Sequence, residues 1–113
     1  MTTPRNPLLY GTLETLILKT LEEGPRHGYG IARWLEAATD ERIQVDESSL
    51  YPALYRLEEK GYLEAQWGRT ELDRRAKFYR LTGKGRGELE RATSEWSDFA
   101  SAVSRVLLEG AGG

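Results

Sequence analysis

The spacing of apolar residues changes period twice along this chain, at Gly61 and again at Thr82. Before Gly61, large apolar side chains recur every three or four residues. Between the two points, "YLEAQWG" and "AKFYRL" alternate large and polar side chains around a polar "RTELDRR". After Thr82 the helical spacing returns and runs to the end. Period three-four reads as amphipathic helix and period two as a half-buried strand, so the order is helices, one hairpin, then a last helix. The fold class expected is mainly α with a small β-hairpin.

The punctuation divides the helical part into three. A first helix is expected over about 8–22, carrying Leu9, Leu13, Leu16 and Ile17 and stopped by Gly24-Pro25. A second runs from about Tyr29 to Ala38, burying Ile31, Trp34 and Leu35, and "RIQV" at 42–45 reads as a very short strand. A third helix follows, capped by Asp46 or Ser48 and closed by Gly61. Thr82 caps the last helix, whose early glycines at 83, 85 and 87 weaken its first turns. Leu89, Ala92, Trp96, Phe99, Val103 and Val106 then form a heptad-like seam, and the "GAGG" tail reads as frayed.

Several functions are hard to build from this composition. Cysteine is absent and His27 is the single histidine, so there is no thiolate or His cluster for a metal and no nucleophile-base pair. No metal or cofactor is expected, and an enzyme is disfavoured. The N-terminal "MTTPRNPLLYGTLE" lacks the apolar core of a signal peptide, and no apolar run approaches a membrane span; a cytoplasmic protein without a membrane partner is expected. Charge is uneven. Residues 69–86 carry seven basic and two acidic side chains, a local +5, against nine basic and sixteen acidic elsewhere, −7. One basic patch on an acidic body suits a phosphate backbone better than the net −2 suggests.

Three short helices and a hairpin, in that order, are those of a winged helix-turn-helix, whose third helix enters a major groove beside the hairpin. This divides the chain into a DNA-binding unit, 1–81, and a dimerisation helix with its tail, 82–113. At about 100° per residue, Leu50, Leu54 and Leu57 share the core side of the third helix. Ser48, Pro52, Tyr55 and Arg56 point outward. Hydroxyls and a guanidinium there can meet phosphates or base edges, so Ser48, Ser49, Pro52, Tyr55 and Arg56 are candidate contacts. Tyr51 lies to the side, equally suited to contact or to packing on the body. Arg74, Arg75 and Lys77, at or just after a long basic hairpin tip, are candidates for the minor groove or the adjacent backbone.

The pieces "LETLILKTLEEGPRHGYGIARWLE", "SSLYPALYRLEEKGYLEAQW" and "RRAKFYRLTGKGR" resemble, in order and spacing, the PadR family of bacterial transcriptional regulators over about residues 8–91. That resemblance implies a winged-helix homodimer, usually a repressor, of the subgroup with a single helix after the wing. It implies backbone contact by Tyr29 at the start of the second helix, where amides can attract a phosphate, with His27 a local hydrogen-bonding residue. Glu71 and Asp73 depart from the family's wing.

The last helix carries more apolar residues than three short helices can cover. A homodimer interface is therefore expected from Leu89, Trp96, Phe99, Val103, Val106 and Leu107, and the resemblance implies that the first helix, with Leu9 and Leu13, joins it. The resemblance also implies that Trp96 could stack a planar aromatic effector between subunits; an ordinary core tryptophan filling the seam is the other reading. The function expected is a repressor on a pseudo-palindromic double-stranded DNA operator, and the alternative is a winged-helix protein-protein interaction module without DNA binding.

Overall fold

A computed structural model describes residues 11–110, comprising four helices and a three-stranded antiparallel sheet. Helix α1, Leu13–Thr20, turns Leu13, Ile17 and Leu18 into the core, and Leu21 follows them just beyond its end. It is shorter than the sequence suggests: Gly11 and Thr12 form a turn, and residues 8–10, with Leu9, lie outside the described residues. It also ends well before Pro25. The Thr20 hydroxyl donates back to the Ile17 carbonyl (2.7 Å), and Arg26 Nε donates to the Thr20 carbonyl (2.8 Å), so one carbonyl of the last turn is met from within the helix and one from outside it.

Arg26–His27 then form a two-residue strand, β1, and helix α2 spans Gly28–Ala38. His27 caps it: the ring Nδ1 accepts the Gly30 N–H at 3.1 Å, the local role expected of this residue. Ile31 and Leu35 are buried and Trp34 packs half-buried against them. Asp40 and Glu41 both adopt left-handed backbone, reversing the chain. The strand expected at 42–45 does not form. The Arg42 N–H donates to the Thr39 carbonyl and the Ile43 N–H to the Thr39 hydroxyl, so these amides are spent in the turn.

Helix α3, Glu47–Glu59, starts on Asp46, whose carboxylate accepts the Ser49 N–H at 2.9 Å. Leu50, Ala53, Leu54 and Leu57 are all essentially buried. Its end is a complete Schellman motif: Gly61 is left-handed (φ 81°) and its N–H reaches the Glu58 carbonyl, while the Tyr62 N–H reaches that of Leu57, each at 3.0 Å.

Strands β2, Leu63–Arg69, and β3, Arg75–Leu81, form the hairpin, paired from Leu63 opposite Leu81 to Arg69 opposite Arg75. Strand β1 adds to the other edge of β3, giving the order β1-β3-β2. The hairpin is thus one edge of a small sheet rooted beside α2. One sheet face carries Leu63, Tyr79 and Leu81 into the core.

Helix α4, Gly83–Leu107, begins on Thr82, whose hydroxyl accepts the Gly85 N–H at 2.9 Å. The start of α4 and the end of α3 are clasped together. Thr82 donates its hydroxyl to the Gly61 carbonyl (2.7 Å) and its N–H to that of Tyr62 (3.1 Å), and Lys84 Nζ donates to that of Lys60 (2.8 Å). Gly85 is required here, because a Cβ would lie 2.1 Å from the Tyr62 carbonyl oxygen. Leu89, one turn on, is buried in the core. The line drawn between residues 81 and 82 therefore runs through packed structure. Beyond Ala92 the helix leaves the body, which raises the radius of gyration to 15.9 Å against about 13 Å for a compact chain of this size.

Candidate nucleic-acid interface

The starts of α2 and α3 meet through a glycine. A Cβ on Gly28 would sit 2.6 Å from the Tyr51 hydroxyl, so the Tyr51 ring lies directly on the first turn of α2. Tyr51 keeps substantial exposure, which joins the two roles open to it: it packs on the body and still reaches the surface. Tyr29 is 66% exposed, stacks near-parallel to His27 at 6.3 Å, and lies under the Arg33 guanidinium at 5.9 Å. Tyr55, one turn after Tyr51, is 62% exposed. Tyr29, Tyr51 and Tyr55 thus present three phenols from two helices bound at Gly28.

The other outward positions of α3 differ in how free they are. Ser48 and Pro52 are exposed and Ser49 is half-buried. The Ser48 hydroxyl donates to the Asp46 carboxylate at 2.9 Å, so it serves the cap, and the Asp46 charge disfavours a phosphate at this helix end. Arg56 Nε donates to Glu14 of α1 at 2.8 Å, and Lys60 Nζ reaches the other oxygen of the same carboxylate at 3.3 Å. Half of the Arg56 side chain remains exposed, with its terminal nitrogens unbound among the described residues.

The wing corrects the expected long basic tip. The ladder continues to Arg69 and Arg75, leaving a tip of five residues, 70–74, that holds Glu71 and Asp73 against one base, Arg74. The left-handed backbone of Asp73 permits the tight reversal, closed by the Thr70 N–H on the Arg74 carbonyl (2.8 Å). Arg69 binds the Asp73 carbonyl and carboxylate (3.1 and 3.6 Å). Lys77 is not at the tip: it is half-buried and bridges to Glu58 of α3 at 3.3 Å. Arg80 pairs with Glu64. Arg74 and Arg75 have no carboxylate partner among the described residues, and the Arg75 guanidinium lies over the Trp67 ring at 4.6 Å. Behind this face, burial pushes the Tyr79 phenol above its ordinary value, with Lys77 partly opposing.

The expected interface residues separate into two groups. Leu13 and Leu89 are buried in the protomer's own core. Trp96, Phe99, Val106 and Leu107 are exposed along the distal part of α4, with Val103 half-buried among them. Sequence reasoning missed Glu14, the close approach of Tyr51 to Gly28, and Trp67. Trp67 carried a signal, an aromatic in register with Leu63 and Ala65 on a strand that outruns the body. Glu14 and Gly28 carried none, since their partners lie far along the chain. Among the described residues no three acidic or histidine side chains form a metal site, and no helix is long and apolar enough to cross a membrane.

Residues 17–91 match the family model of the transcriptional regulator PadR-like family. The chain belongs to that family. A PadR-like regulator of Bacillus cereus has a similar structure, with TM-score 0.77 and 27% identity over 91% of this chain and 98% of that one. A transcriptional regulator of Clostridium thermocellum gives TM-score 0.82 and 30% identity over 90% and 99%. An uncharacterised protein of Lysinibacillus sphaericus is 30% identical over 94% of this chain and 96% of its own length. The four helices and wing are the PadR winged-helix fold, and regulation of transcription, a non-enzymatic role, is what the family does.

Proposed function

We propose that this PadR-like protein is a homodimeric repressor that binds a pseudo-palindromic DNA operator and leaves it when a planar aromatic ligand binds. The observation that carries the DNA reading is the difference between the two sides of α3. Its core side is buried without polar atoms, while its outer side, with the neighbouring start of α2, offers Tyr29, Tyr51, Tyr55 and half of Arg56 to a partner. Phenolic hydroxyls and guanidinium nitrogens are donors for phosphate oxygens and guanine edges. Ser48, Ser49 and Pro52 line the approach, and Arg74 and Arg75 are the wing's bases toward the adjacent backbone, with Lys77 adding its charge from behind them on Glu58.

A second copy is supported by the apolar stripe of Trp96, Phe99, Val106 and Leu107, with Val103 half-buried among them, which stands exposed among the described residues. Two copies about a two-fold axis present two α3 helices for half-sites one DNA turn, about 34 Å, apart. Trp96 is 55% exposed, so its indole face is open to stack a flat ring between subunits.

Selection of genomic fragments by the purified protein, followed by salt titration on the retained sequence, tests this. Affinity should fall steeply with salt, and Tyr55→Ala with Arg56→Ala should cut discrimination against random DNA by about 1–3 kcal/mol. Operator binding unaltered by that double change would remove α3 from the interface. No fragment retained at low salt would favour a protein-protein module. For the ligand, planar dyes should quench tryptophan and release DNA, both effects being lost in a dimeric Trp96→Ala variant.

A further inference from the structure

We propose that Trp67 is a positioning residue for DNA binding, holding the Arg75 guanidinium in a fixed plane so that one edge of it, with its paired N–H donors, faces a phosphate of the bound duplex. The inference rests on the DNA-binding reading above. On the sheet face that enters the core, the cross-strand pairs run outward as Ala65 with Tyr79, Trp67 with Lys77, and Arg69 with Arg75. The series passes from buried to basic. Its last pair sets two cations directly opposite each other, an arrangement that destabilises a sheet unless each charge is relieved.

The two relief mechanisms differ in chemistry. Arg69 is neutralised by Asp73, whose carbonyl and carboxylate engage one of its terminal nitrogens. Arg75 lies on the face of Trp67, its central carbon 4.6 Å from the ring centre, well inside cation-π range. A face contact occupies no N–H. The guanidinium keeps five in-plane donors and its full charge, and its plane is set by the ring. Most basic side chains near the wing and α3 are held otherwise: Arg56 and Lys60 by Glu14, Lys77 by Glu58, Arg80 by Glu64. Arg74 is free but has no ring beneath it among the described residues. Trp67 itself is 57% exposed, so core packing does not account for the placement of this large ring.

The test is fluorescence-anisotropy titration of the full chain with a retained operator fragment across a salt series. Trp67→Leu should weaken binding roughly fivefold to tenfold while leaving the salt slope at the wild-type value, because no charge is removed. Arg75→Ala should lower the slope by about one, and Trp67→Leu added to Arg75→Ala should cost no more than Arg75→Ala alone. Arg75→Lys, which keeps the charge and loses the plane, should resemble Trp67→Leu, and Trp67→Phe should recover most of the affinity. A general structural role for Trp67 would not produce this non-additivity. Wild-type affinity in Trp67→Leu, or losses that multiply in the double variant, would overturn the proposal while leaving the DNA reading intact. Absence of any salt-dependent binding by the wild type would instead overturn both. Should Trp67→Leu fail to fold, the Trp67→Phe and Arg75→Lys pair decides it on the same criteria.

Discussion

In the first turns of α4, Gly85 and Leu89 are buried against the Tyr62 carbonyl and the common core. About three turns further on Phe99 is 68% exposed, and about five turns on Leu107 is 73% exposed, although the apolar spacing is the same throughout. Periodicity identifies a face that needs cover; it does not say which molecule covers it. The near half belongs to the protomer's fold. The far half, about fifteen residues, is marginal as an isolated helix in water, and the second copy proposed above would supply its cover.

The comparison can be broken most forcefully at its inner end. Gly85→Ala would drive a methyl into a backbone carbonyl with no flexible side chain to yield, and should destabilise the chain by about 3 kcal/mol or more. Urea unfolding measures it. Leu89→Ala should follow at about 2–3 kcal/mol from the lost methyls and the partial cavity they leave. At the outer end the expectation reverses. Phe99→Asp should leave the far-ultraviolet signature of the winged helix intact yet give a monomer in sedimentation, because a charge is set into the proposed contact. A dimer that survives would move the interface off this stripe.

The smallest effect sits where the halves join. Arg91 bonds Glu88 through two nitrogens and also reaches Glu95. The hydrogen bond from Arg91, opposed by burial, holds the Glu88 carboxyl below its ordinary value. A lowered folded value means that the contribution is complete above the usual carboxylate range and is lost as pH falls through the folded value. The pair is exposed, so the loss should be shallow. Carboxyl resonances should show the Glu88 midpoint rising in Arg91→Ala.

Those expectations draw on features with very different visibility in the sequence. The four helices, the hairpin and the caps at Asp46, Gly61 and Thr82 were legible because each rests on neighbours within a turn. Strand β1 was not, since two residues have no period and exist as a strand only through Tyr79 and Phe78 opposite. The need for glycine at 85 was equally hidden: three early glycines read as weakness until a carbonyl from residue 62 was set against one of them. At the candidate site, the outward face of α3 followed from helix geometry alone. The Glu14 bridge to Arg56 spans 42 positions, and the ladder that shortened the wing tip depends on Asp73 taking a left-handed conformation.

The clasp of Thr82 and Lys84 on the last carbonyls of α3 has a mechanical consequence. It makes the base of a 25-residue rod, about 37 Å long, continuous with the end of α3, the helix proposed to face DNA. On an arm of that length, a turn of only about 5° at the clasp sweeps the far tip through about 3 Å. The gearing runs both ways. In the proposed dimer, a sideways step of a few ångströms between the distal ends of two copies, about the thickness of one aromatic ring, would reach the tyrosines proposed to face the groove as a rotation of a few degrees, a change of aim with almost no change of position.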